Sequence, residues 1–169
     1  IYSECISMTL DALDLTSTNR VILSILLKYR AFGKMAQLIS CIKDIQTYLK
    51  SRQKATHQTM IPLDTYVRRD MHSLYSKAPK HLKVAFNDEE FSVLALLSAK
   101  LGPMNISEKA ITEMLHIEGL LDKLQQQVEE MQDSKYIPLL RAFLSRITVS
   151  CFSASGWSNQ LMWAHYANS

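Results

Sequence analysis

The 169 residues suit one ordinary domain with a buried core, and a composition of 47% hydrophobic and 21% charged residues excludes a disordered or low-complexity chain. Four Gly and four Pro supply too few turns for an all-β sandwich, so composition points to helix. The net charge of +3 conceals a division: residues 28–83 carry twelve Lys/Arg against three acids, whereas 84–133 carry three Lys against ten acids.

The chain opens Ile-Tyr-Ser-Glu-Cys, with no initiator Met, basic n-region or cleavage site. That predicts neither a signal peptide nor a native start. Val21–Leu27 is the longest strongly apolar run, well short of the ~20 residues of a membrane span. Cys5, Cys41 and Cys151 are odd in number and widely spaced, which fits a reducing cytoplasm better than a disulfide framework or a CxxC metal site.

Asn19 is placed to cap a helix through Val21, Ile22, Ile25, Leu26 and Tyr29. Lys34–Leu49 repeats the stripe with Met35, Leu38, Ile39, Ile42, Ile45 and Leu49, so the two segments are expected to form an antiparallel hairpin around Gly33. The polar stretch 51–61 reads as a loop and a candidate for disorder. A weaker helix is expected over Pro62–Tyr75, then a basic connector around Pro79. Asp88, Glu89 and Glu90 open a helix through Leu94, Leu97 and Leu101, acids in a first turn being favoured by the helix dipole.

Gly102 and Pro103 end that helix, and Asn105 with Glu108 resembles a capping box for the longest helix, Ile106 to about Met131. A short helix follows from Ser134 to Leu144, with Pro138 in its first turn. Ile147, Val149 and Phe152 then alternate in a β-branched run that predicts a strand near 146–152. The segment from Ser158 is expected to turn into a short C-terminal helix. The resulting expectation is a helix-rich α+β single domain over 1–169, with a helical region to about residue 144 and a strand-plus-loop segment over 145–169.

Two segments offer chemistry. The basic stretch 28–83 interleaves Tyr48, Tyr66 and Tyr75 with Arg52, Lys54, Arg68 and Arg69, a pattern suited to following phosphates while offering rings to bases. The plain alternative is that basic and acidic segments pack together and neutralise each other. The last twenty residues hold both Trp, one Cys and one His. A strand would deliver Cys151 to a Ser/Gly loop, and helical spacing would put Leu161, Met162 and His165 on one face and Trp163 and Tyr166 on the next. Such residues are equally at home in a core, and Cys151 equally reads as a small buried hydrophobe.

The run Cys151-Phe152-Ser153, a short polar gap, and Leu161-Met162-Trp163-Ala164-His165-Tyr166-Ala167 resembles the signature of a bacterial family known as domain of unknown function 2971. Lys28-Tyr29-Arg30 is similar to that family's opening Tyr-Arg turn, and Phe86-Asn87-Asp88 to its Phe-Asn-Asp motif, with Glu89 where the family usually has Pro. The resemblance implies that this chain is the N-terminal part of a larger domain, stopping inside a signature that normally continues through His-Lys-Gly. It associates the chain with bacterial accessory and phage-defence or toxin effectors.

Two functions follow. In the first, an effector acts on a nucleotide or nucleic acid: Trp163 and Tyr166 stack a base, His165 with Tyr166 serves as acid–base or phosphate group, and Ser153 or Asn159 orients the substrate. In the second, the chain is a non-enzymatic helical module that docks a protein or nucleic acid through its charged faces. Neither expects a metal, because His57, His72, His81, His116 and His165 lack ligand spacing, and no cofactor is indicated. No Gly-rich phosphate loop or G-x-S-x-G elbow occurs.

Overall fold

The computed structural model describes residues 2–102 and 106–154, the last twelve by their backbone. Helices make up all of the regular structure among them: α1 (Tyr2–Asp11), α2 (Ser17–Ala31), α3 (Met35–Ala55), α4 (Leu63–Ser76), α5 (Lys80–Ala85), α6 (Asp88–Lys100), α7 (Glu108–Met114) and α8 (Leu120–Ala154). Two compact units divide the chain, Ile1–Val128 and Glu129–Ser169.

The first unit is built around α6. Phe91, Val93, Leu94, Ala95, Leu97 and Ser98 are all buried, covering more of the helix than one stripe, as expected of a helix enclosed by others. It packs against α2, α3, α4 and α5, while α1 lies on α2 and α3 on α4. Of the predicted stripes, Ile22, Ile25 and Leu26 of α2 and Leu38, Ile42, Ile45 and Leu49 of α3 are buried, whereas Val21, Tyr29, Met35 and Ile39 are half-buried, and Leu23 and Leu27 join the buried face of α2 without having been expected there. Burying each such side chain contributes about 1.5–3 kcal/mol. Two buried glutamines tie the ends of this core. Gln46 donates to the Ser98 and Leu101 carbonyls, and Gln53 to the Ile61 carbonyl.

Three helices end in the same way. At Gly33 (φ 64), His57 (φ 56) and His116 (φ 54) the backbone turns left-handed. The N–H of that residue and of the next fold back onto the helix, as in Gly33 to the Arg30 carbonyl (3.1 Å) and Lys34 to the Tyr29 carbonyl (2.8 Å). This double closure satisfies terminal carbonyls that would otherwise be orphaned. It joins α2 to α3 around Gly33 as expected.

Several boundaries differ from the sequence reading. The N-cap of α2 is Thr16, whose side chain accepts from the Asn19 N–H at 3.3 Å, so Asn19 sits inside the helix. Residues 51–55 continue α3, because Arg52, Gln53, Lys54 and Ala55 are good helix formers and the buried Gln53 finds a carbonyl partner. Helix α1 had no sequence expectation, and α5 forms within the expected connector, anchored by the buried Leu82. The expected helix Ile106–Met131 is two helices, since His116 and Gly119 (φ 75) turn left-handed between them, and Ser107 caps the first. The expected cap Asn105 lies outside the described residues.

The α+β expectation is overturned: the described chain contains no strand, and residues 146–152 lie inside α8, which also absorbs the helix expected over 134–144. The β-branched Ile147, Thr148 and Val149 lose only a few tenths of a kcal/mol each in a helix, roughly 0.7 at most. Extending a helix already nucleated at Leu120 costs far less than starting a new element. The same apolar residues also satisfy a helical period, Leu140, Leu144, Ile147 and Cys151 being four, three and four apart. A strand in isolation has no partner to pair with, and none is offered among the described residues. The helix expected from Ser158 lies outside the described residues.

Candidate nucleic-acid interface

The helical period of α3 sorts its residues cleanly. Leu38, Ile42, Ile45 and Leu49 point to α6, which leaves Lys43, Thr47, Lys50 and Lys54 exposed along the opposite face. On α4, burial of Tyr66, Val67 and Leu74 exposes Arg68, Arg69 and His72, and α5 adds exposed Lys80 and Lys83. Helices α3 and α4 pack on each other and both on α6, so these exposed basic residues belong to neighbouring helices. The acids on these helices are Asp44, 3.4 Å from His81 Nε2, and Asp64 and Asp70, both half-buried.

Among the twelve Lys/Arg of residues 28–83, Arg30 is the described member that pairs with the acidic segment. Its guanidinium bridges Glu108 (3.7 Å) and Asp122. Those carboxylates stand in the first turns of α7 and α8, where they also complement the helix dipoles. Arg69 donates to the Gln58 side chain and Lys83 to the Ser76 carbonyl at 2.9 Å. The others in the set make no ion pair with a carboxylate among the described residues.

Of the expected phosphate residues, Lys54, Arg68 and Arg69 are exposed. Arg52 differs: it is half-buried, its Nε has no hydrogen-bond partner, and it lies beside Tyr48. Burial raises the Tyr48 phenol above its usual range, and the nearby Arg52 charge opposes that shift. The Tyr48 hydroxyl donates to the Leu74 carbonyl (2.7 Å), and Tyr66 is buried, so these rings serve the packing of α3 against α4. The second set of expected residues, Asn159, Trp163, His165 and Tyr166, lies outside the described residues, as does the Ser153 side chain.

The motif fragments Tyr29-Arg30 and Phe86-Asn87-Asp88 come together. The Tyr29 and Phe86 rings are 6.1 Å apart. Asn87 caps α6 in a reciprocal box, accepting from the Glu90 N–H (2.8 Å) while its own N–H donates to the Glu90 carboxylate (3.0 Å). The fragments thus serve the junction of α2 with the start of α6. Burial, then Cys41 and Glu90, raise the Tyr29 phenol above its usual range.

The structure also gathers residues that the sequence reading did not assign to a site. Lys28, Tyr29, Phe32, Lys34 and Gln37 line an open groove of about 230 Å³ at the α2–α3 turn. The available signal was an apolar ring beside the turn glycine, flanked by two lysines. Among the described residues no group of three or more His, Cys, Asp or Glu is arranged to hold a metal, and no helix is long and apolar enough to cross a membrane. No family model matches this chain, and no curated protein or solved structure matches it.

Proposed function

We propose that the first unit is a nucleic-acid-binding module that holds a single strand by its phosphates across the exposed face of α3, α4 and α5. The observation that carries this reading is the unneutralised charge of that face: Lys43, Lys50, Lys54 and Arg68 are exposed and make no ion pair among the described residues. Ammonium and guanidinium groups held on rigid helices displace the counterions condensed on a polyanion, a favourable and salt-dependent contribution. On the same reading, the family resemblance over 151–167 supports an effector that acts on the bound nucleotide, with His165 and Tyr166 as acid–base groups and Trp163, Ser153 and Asn159 as binding groups.

The test is fluorescence anisotropy of a labelled oligothymidylate against the chain at about 50 mM and 200 mM salt. Binding is expected to weaken steeply with salt. The triple variant K54E/R68E/R69E is expected to weaken it at least tenfold and to flatten the salt slope by about 0.7 for each phosphate that is no longer neutralised. Equal binding by the triple variant and the parent overturns the reading.

A further inference from the structure

The groove at the α2–α3 turn brings together two kinds of chemistry. Phe32, the C-cap of α2, is 59% exposed, although its ring contacts Tyr2 at 5.8 Å. An exposed ring can be a harmless surface feature. Here it lines an open concavity together with Lys28 and Lys34, neither paired with an acid among the described residues. Glu90, the carboxylate near Tyr29, is engaged in the cap of α6. The turn itself is held by the two backbone hydrogen bonds that close α2, so Lys28, Phe32 and Lys34 are displayed on a fixed frame.

A flat aromatic face beside two unneutralised ammoniums suits a ligand that is itself a flat ring joined to an anion. At about 230 Å³ the groove is below the ~300–1,000 Å³ of pockets for drug-sized ligands, a size suited to a small ligand such as one base with its phosphate. Lys34, the N-cap of α3, lies nine residues, about 14 Å along the helix, from Lys43 and about 30 Å from Lys54, and no lining residue of the groove belongs to the strand-binding set. The groove is thus distinct from the strand-binding face, and its argument does not rest on that face.

We propose that this groove is a mononucleotide site, in which the base stacks on Phe32, the phosphate lies between Lys28 and Lys34, and the Gln37 amide bonds the base edge. The experiment is calorimetric titration of the full chain with adenosine 5′-monophosphate, adenosine and inorganic phosphate, each in turn. The monophosphate is expected to bind more tightly than either fragment. F32L keeps an apolar contact for Tyr2 while removing the stacking face, and is expected to weaken monophosphate binding about tenfold. K28A/K34A is expected to remove binding of both the monophosphate and phosphate. K54E/R68E/R69E is expected to bind the monophosphate as the parent does, whatever becomes of its oligonucleotide binding. Monophosphate binding no tighter than phosphate, parental affinity in F32L, or loss of monophosphate binding in K54E/R68E/R69E would each overturn the proposal.

Discussion

Gln46 of α3 closes the end of α6: its Nε2 donates to the Ser98 carbonyl at 2.9 Å and also to the Leu101 carbonyl at 2.8 Å. One buried amide therefore commits both of its hydrogens to carbonyls at the end of the central helix, a part that a capping glycine or water plays elsewhere. Replacing it with Leu preserves the approximate volume and leaves both acceptors short of a partner. Q46L is expected to lose about 2 kcal/mol, with Q46E losing more because a carboxylate would face two carbonyl oxygens. Urea unfolding reads both; a parental midpoint for Q46L would show that water replaces the amide without cost.

The left-handed helix ends predict opposite signs at chemically similar places. His57 and His116 hold φ near 55° despite their Cβ atoms, a conformation that costs an L-residue about 1–2 kcal/mol. H57G and H116G are each expected to stabilise the fold by roughly 0.5–1 kcal/mol after the extra chain entropy of glycine is subtracted. G33A is expected to destabilise by about 1 kcal/mol through the backbone alone, since a Cβ there would meet nothing within 4 Å. Thermal unfolding of the three variants is the check.

Stability should fall on the alkaline side. Burial raises the Cys41 thiol, with Asp44 adding to it, and burial also raises the Tyr29 and Tyr48 phenols. Each group stays neutral in the fold to a higher pH than in the unfolded chain. The stabilisation is therefore complete below the unfolded values and is lost as pH rises through the folded ones. Denaturation midpoints are expected to be level across neutral pH and to decline from about 8.5, where free thiols ionise, with C41A removing the first part of the decline. A decline of the same onset in C41A would exclude the thiol as its source.

Pro138 stands inside α8, where it has no N–H to offer the Ser134 carbonyl. P138A supplies the missing donor and is expected to strengthen α8 by up to about 3 kcal/mol. Far-ultraviolet circular dichroism during heating would show it as a later loss of helix signal. An unchanged melting profile would mean that the freed carbonyl already has another partner.

The sequence was most legible where apolar spacing was strict. The stripes of α2 and α3 and the acidic opening of α6 revealed their positions directly, because a helix with one buried face must repeat at 3.6 residues. It was least legible where the backbone made the decision. The break at His116–Gly119 depends on a histidine accepting a left-handed turn, which a scan for proline and glycine catches only at Gly119. Residues 147–152 misled because β-branched composition is a weak preference that a long helix overrides. At the candidate interface, charge density alone pointed to Lys54, Arg68 and Arg69, whereas the half-buried position of Arg52 depends on how α3 meets α4. The groove around Phe32 needs the turn in three dimensions, since its lining residues come from the end of one helix and the start of the next.

The enclosure of α6 also sets an order of events during synthesis. Four of its neighbours, α2 to α5, are made before it, and each carries an apolar face that α6 covers. Until residue 100 has left the ribosome, the nascent chain has sides without a centre. Leu38, Ile42, Leu82 and their companions must wait in a loose, reversible collapse, at a synthesis rate of about 5–20 residues per second. The arrival of α6 then converts that collapse into a fold in one step, and a nascent chain halted at Ala85 would remain sticky and protease-sensitive.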